Sequence, residues 1–114
     1  MYSDELKIDT QQNPGEASAL ETHHKQTPRE EEQIRQLKNR LNRMAGQLNG
    51  IGRMLDDNRY CGDILTQIAA VESALQSFGY IVLQNHLETC VTEEVERGNK
   101  EIMAETVGLI RKLK

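Results

Sequence analysis

Apolar residues in this chain recur in alternating steps of three and four, and that spacing leaves few folds open. Ile34, Leu37, Leu41, Met44, Leu48, Ile51 and Leu55 form one stripe; Ile64, Ile68, Val71, Leu75, Phe78 and Val82 form a second. A stripe this narrow belongs to a helix packed lengthwise on another helix. No stretch sustains a period of two, so no sheet is expected, and there are no internal repeats. The fold class is therefore all-α, with three helices per subunit. The 114 residues suffice for one domain, yet aromatic residues make up only 4% and Trp is absent. One chain alone thus has little from which to build a core, and association is expected to complete it.

Residues 1–27 mix Gln, Asn, Pro, Gly, Ser and acidic residues without a lasting period and read as a disordered tail, leaving residues 28–114 as the helical domain. Thr27-Pro28-Arg29-Glu30 reads as a helix start: Thr27 as cap, Pro28 in the first turn, Glu30 completing a capping box. The first helix then runs to about Asp56, and Asp56-Asp57-Asn58 forms a short connection. A second helix is expected from Tyr60–Gly62 to about Arg97 in one continuous run. Gly98 suits a left-handed cap, and Asn99 suits the start of a third helix reaching the end of the sequence.

The net charge of −4 argues against a protein that coats nucleic acid indiscriminately. Residues 33–60, however, carry six basic and two acidic side chains. This basic island is compatible with a directed DNA contact through Arg35, Lys38, Arg40 and Arg43, with Gln47 as a further donor. A solvated helix face gives the same pattern, and no helix-turn-helix is evident. No apolar run approaches the roughly 18 residues of a membrane span, and the start, MYSDELKIDT, has no signal region. The cytoplasm is the expected location, with the two cysteines as thiols.

Cys61 opens the second helix, and HLETC near its end supplies His86 and Cys90, one turn apart on one face. Two thiolates and an imidazole make a soft ligand set suited to Cu(I) or Zn. Two buried cysteines beside a satisfied histidine remain an equal reading of the spacing alone. A nucleophilic cysteine enzyme lacks a glycine-rich turn or an oxyanion loop to support it, whereas a helical adaptor with no metal function would suit the heptads well. His23 and His24 read as solvated tail histidines, or else as extra ligands.

RLNRMAGQLNGI, residues 40–51, and NRYCGDILTQIAAV, residues 58–71, together with the Cys61, His86 and Cys90 spacing, resemble the copper-sensitive operon repressors. These form the CsoR/RcnR family of bacterial metal- and thiol-stress-sensing transcriptional regulators, and the resemblance covers residues 30–114. It implies an antiparallel helical-bundle dimer assembling as a dimer of dimers, hence a homotetramer. It implies Cu(I) held by Cys61, His86 and Cys90, with Tyr60 and Glu105 behind them, Glu105 aligning across a one-residue gap near Gly98. The expected function is a repressor, not an enzyme, that binds operator DNA when metal-free and releases it on binding copper. A nickel- or cobalt-responsive repressor using His23 or His24, or a thiol-stress sensor, are the alternatives within the family.

The 25 residues from Cys61 to His86 span about 37 Å along a helix. One straight helix cannot unite the three ligands. Two antiparallel copies can, with Cys61 from one chain and His86 and Cys90 from the other. The two-fold axis would then cross between Ser73 and Gln76, where Ser73, Ala74, Ser77 and Gly79 permit close approach.

Overall fold

The computed structural model describes residues 22–113, so most of the expected tail, residues 1–21, lies outside the described residues. Three helical rods follow one another. The first is α1, Glu31–Asp56. The second is made of α2, Cys61–Asn85, a π-helical turn, His86–Val91, and α3, Thr92–Glu96. The third is α4, Glu101–Lys112. No strand occurs among the described residues, and the all-α expectation holds. No helix there is long and apolar enough to cross a membrane.

The first helix begins three residues later than its capping signal suggests. Glu30 is the cap residue, extended at φ −70 and ψ 151, and makes no side-chain cap bond. Pro28 biases Thr27 toward extended backbone, and the Thr27 hydroxyl donates instead to Glu93 Oε2 at 2.6 Å. The capping box is therefore not formed, because a long-range partner takes its hydroxyl. Residues 22–27 likewise depart from a free tail. They are non-helical and lie against the second rod, with Lys25, Gln26 and Thr27 all bonded to its side chains.

The first two rods end alike. Asn58 (φ 54) follows α1, and Gly98 (φ 87) follows α3. In the first, Arg59 N reaches Met54 O and Asn58 N reaches Leu55 O. In the second, Asn99 N reaches Glu94 O and Gly98 N reaches Val95 O. Both are paired closures in which a left-handed residue turns the chain and satisfies the last carbonyls. Asn99 then serves α4 as expected, its Oδ1 accepting from Glu101 N at 3.1 Å.

Packing within one chain is thin. Among the described residues, Met44, Val91 and Ile102 are the buried hydrophobic ones, Thr106 is also buried, and no large side chain is fully enclosed. α1 lies along α2, yet α2 has no buried residue at all. Leu65 and Leu75 remain 64% and 56% exposed, and Ile68 and Tyr80 are also uncovered. A helix with this many bare apolar side chains lacks a covering surface within its own chain. Covering each such side chain contributes on the order of 1 kcal/mol or more. Gly79, expected to ease a helix–helix approach at the two-fold axis, is already occupied within the chain. The Leu113 side chain comes so near that a Cβ on Gly79 would meet it at 2.9 Å.

Gly98→Ala should destabilise the protein by about 1 kcal/mol, because an L side chain is strained at this φ. A urea midpoint equal to that of the wild type would disprove the role of this cap.

Candidate metal centre

The π-helical turn carries two of the three proposed ligands. Bonds of the i to i+5 kind widen the turn, which brings positions four and five apart nearly above one another. Two threonines bracket Cys90 and bond back to the rod: Thr89 Oγ1 donates to Asn85 O at 2.7 Å, and Thr92 Oγ1 to Leu87 O at 3.0 Å. Hydroxyls that compete for helix carbonyls distort a regular α-helix, and here the distortion falls at the histidine and the cysteine.

His86 Nε2 is buried and has no hydrogen-bond partner. A buried ring nitrogen without a partner costs free energy, and metal sites are a common reason to retain one. Cys90 is a free, half-buried thiol. Its Sγ accepts from Lys25 Nζ at 3.1 Å, and the same ammonium donates to Thr89 Oγ1 at 2.9 Å. His86 and Cys90 line a cavity of about 580 Å³ with His23, His24, Glu93 and Glu105. Glu105 comes from α4, so the third rod closes one wall. The donors fit a soft cation: an imidazole nitrogen lacking a partner and a sulfur four residues on, with room beside both.

Cys61 is absent from this group. It is exposed at the first position of α2, with Tyr60 before it 76% exposed. Among the described residues no cluster of three or more His, Cys, Asp or Glu side chains forms a metal site. The chain therefore places His86 and Cys90 near one end of the second rod and Cys61 at the other.

The proposed DNA-contacting residues do not share one face. At 3.6 residues per turn, Arg40 and Arg43 lie about 60° apart, while Lys38 lies roughly 140–160° from both. Lys38 borders a crevice with Ile34, Leu41 and Phe78. Gln47 is half-buried in the groove between α1 and α2, beside Arg53 and Gln67. Arg35 pairs with Glu32 at 2.5 Å, whereas Arg40 and Arg43 project outward with no ion pair among the described residues.

Residues 33–112 match the family model described as metal-sensitive transcriptional repressor. The chain belongs to that family. Its members are repressors, not enzymes. The copper-sensing transcriptional repressor RicR of Mycobacterium tuberculosis is 51% identical over 59 residues, 52% of this chain and 62% of that protein. The copper-sensing transcriptional repressor CsoR of Bacillus subtilis is 41% identical over 66 residues, 58% of this chain and 65% of that protein. The chain thus spans less than two thirds of the length of these curated relatives. Among solved structures, the copper-sensing repressor CsoR with Cu(I) from Geobacillus thermodenitrificans superposes with a TM-score of 0.75 at 36% identity, over 81% of this chain and 97% of that one. The nickel-responsive regulator InrS gives 0.63 at 29% identity, over 82% of this chain and all of the other.

Sequence reasoning missed Lys25 and the π-helical turn. The turn had a faint signal in the two threonines flanking Cys90 and Val91. Lys25 had none, since nothing in a segment without periodicity announces a contact 65 residues away.

His86→Leu removes the orphaned nitrogen and should leave the metal-free protein as stable as wild type, or more stable by about 1 kcal/mol. A lowered urea midpoint would mean that Nε2 is satisfied within the metal-free protein.

Proposed function

We propose that this protein is a cytoplasmic Cu(I)-responsive transcriptional repressor that binds operator DNA when metal-free and releases it on binding copper. The observation that carries this reading is the division of the ligands. His86 and Cys90 stand at one end of the second rod, Cys61 stands at the other, and the α2 surface between them is apolar and uncovered. The similarity to a Cu(I)-bound repressor over most of the chain supports the choice of metal.

Two copies of α2 running antiparallel cover the exposed Leu65, Ile68 and Leu75 faces and bring Cys61 of one subunit to His86 and Cys90 of its partner. An isologous pair makes two such sites, one at each end. Pairing of these dimers gives the homotetramer. Bound Cu(I) supplies a soft Lewis acid that accepts two thiolates and one imidazole. Cys61 and Cys90 would contribute the sulfurs and His86 the imidazole, with Tyr60 and Glu105 beside them. Ligands drawn from both subunits would then couple the two α2 rods across the dimer. Repression ends if the tied arrangement binds DNA less well than the untied one, since only a difference in affinity shifts the equilibrium. Residues 28–114 carry both activities, and Arg40 and Arg43 are the foremost phosphate contacts, with Arg35, Lys38 and Gln47 at the margins.

A nickel-responsive repressor is the second reading, favoured by His23 and His24 on the wall of the same cavity and by the likeness to InrS.

Mixing Cys61→Ala subunits with His86→Ala/Cys90→Ala subunits should restore one Cu(I) site per heterodimer. No recovery would place the ligands within one chain and defeat the shared site. Arg40→Ala and Arg43→Ala should each weaken metal-free DNA binding and reduce its salt slope by about one. Unchanged slopes would remove both from the DNA interface while leaving the metal site intact.

A further inference from the structure

Resting on the Cu(I) reading, the geometry points to Lys25 as a specificity-determining residue: a fixed positive charge beside Cys90 that favours a monovalent over a divalent metal ion. Lys25 Nζ lies 3.1 Å from Cys90 Sγ and 2.9 Å from Thr89 Oγ1. The chain on its C-terminal side holds it there. Gln26 Oε1 accepts from Arg97 Nη2 at 3.1 Å, and Thr27 Oγ1 donates to Glu93 Oε2 at 2.6 Å. Residues 25–27 therefore form a strap stitched to the second rod at three successive side chains, with its ammonium on the sulfur.

A metal ion bonded to Cys90 Sγ would lie roughly 4–5 Å from that ammonium, given metal–sulfur bonds near 2.3 Å. Repulsion between two point charges scales with their product, so Lys25 opposes a divalent ion twice as strongly as a monovalent one. Its attraction for the two thiolates is the same in either case. The half-buried surroundings of Cys90 screen this difference less than open water does. Glu93, Glu94 and Glu105 line the same cavity, but it is the Lys25 ammonium that contacts the sulfur. Glu93 is engaged by Thr27, Glu94 by Asn99 Nδ2 at 2.8 Å, and Glu105 is exposed on α4. The cation in hydrogen-bond contact with the ligand sulfur is Lys25. The chemistry selected is a monovalent, sulfur-seeking cation.

The test uses the full-length reduced protein under anaerobic conditions. Affinities for Cu(I) and Zn(II) are measured by competition with a chromophoric chelator for each ion, in the wild type, Lys25→Met and Lys25→Arg. Lys25→Met keeps the apolar stem and should lower the ratio of Cu(I) to Zn(II) affinity by about tenfold or more. Lys25→Arg keeps the charge and should hold the ratio within about threefold of wild type. An unchanged ratio in Lys25→Met overturns the inference, as does an equal fall in Lys25→Arg, which would mark a merely structural strap. Cys61→Ala measured alongside separates the two readings. If that variant loses Cu(I) while Lys25→Met keeps the wild-type ratio, the shared copper site stands and the role of Lys25 falls. If the wild type takes up no Cu(I), both fall together.

Discussion

The whole arrangement depends on the stiffness of a long helix. The second rod runs from Cys61 to Glu96 without a break in helical backbone, so its two ends cannot meet. Any chemistry that needs groups from both ends must recruit another molecule. The same rod leaves Leu65, Leu75 and Tyr80 bare, and the proposed pairing with a second copy would take them out of water. Ligand placement and core deficiency thus make one demand between them. Neither is a defect of the isolated chain once the pair is the unit considered.

Around that rod the remaining parts act as fittings. The left-handed residues Asn58 and Gly98 turn the chain sharply at the ends of two rods. The second of these turns sends α4 back along the half-site, where Glu105 shares its cavity and Leu113 fills the gap over Gly79. Residues 25–27 close on the same region from the other side. His86 and Cys90 are consequently flanked by α4 and by residues 25–27, while Cys61 stands exposed. Such asymmetry suits a receptor and a plug: one end of the rod is a furnished recess, the other a projecting sulfur.

Much of this was legible in the chain. Heptad spacing gave the first two rods to within a residue or so at most of their ends, since Asp-Asp-Asn and Gly98 are strong local punctuation. What escaped was governed by contacts remote in sequence. Thr27 looked like a cap and became a partner for Glu93. Lys25 looked like part of a featureless tail and reached Cys90. Gly79 looked free for a neighbouring subunit and was taken by Leu113. The basic island is also spread around its helix, Lys38 standing nearly opposite Arg40 about the axis. Local pattern specifies rods and corners. It does not specify which side chains meet when rods fold back.

The π-helical turn has a consequence for how this protein tolerates change. A π turn holds one residue more than the α-helical turn it replaces, so it acts as slack in an otherwise fixed register. Deleting Leu87, for example, would let the backbone relax to ordinary α-helix with every flanking bond still available. The rod would remain sound and the segments after the turn would keep their register, but Cys90 would stand three residues from His86 instead of four and shift about the axis relative to it. The chain would look intact by helicity, while the imidazole and the sulfur would no longer stand as the π turn sets them. The shortest possible deletion would thus change the spacing of two side chains without unfolding the rod that carries them.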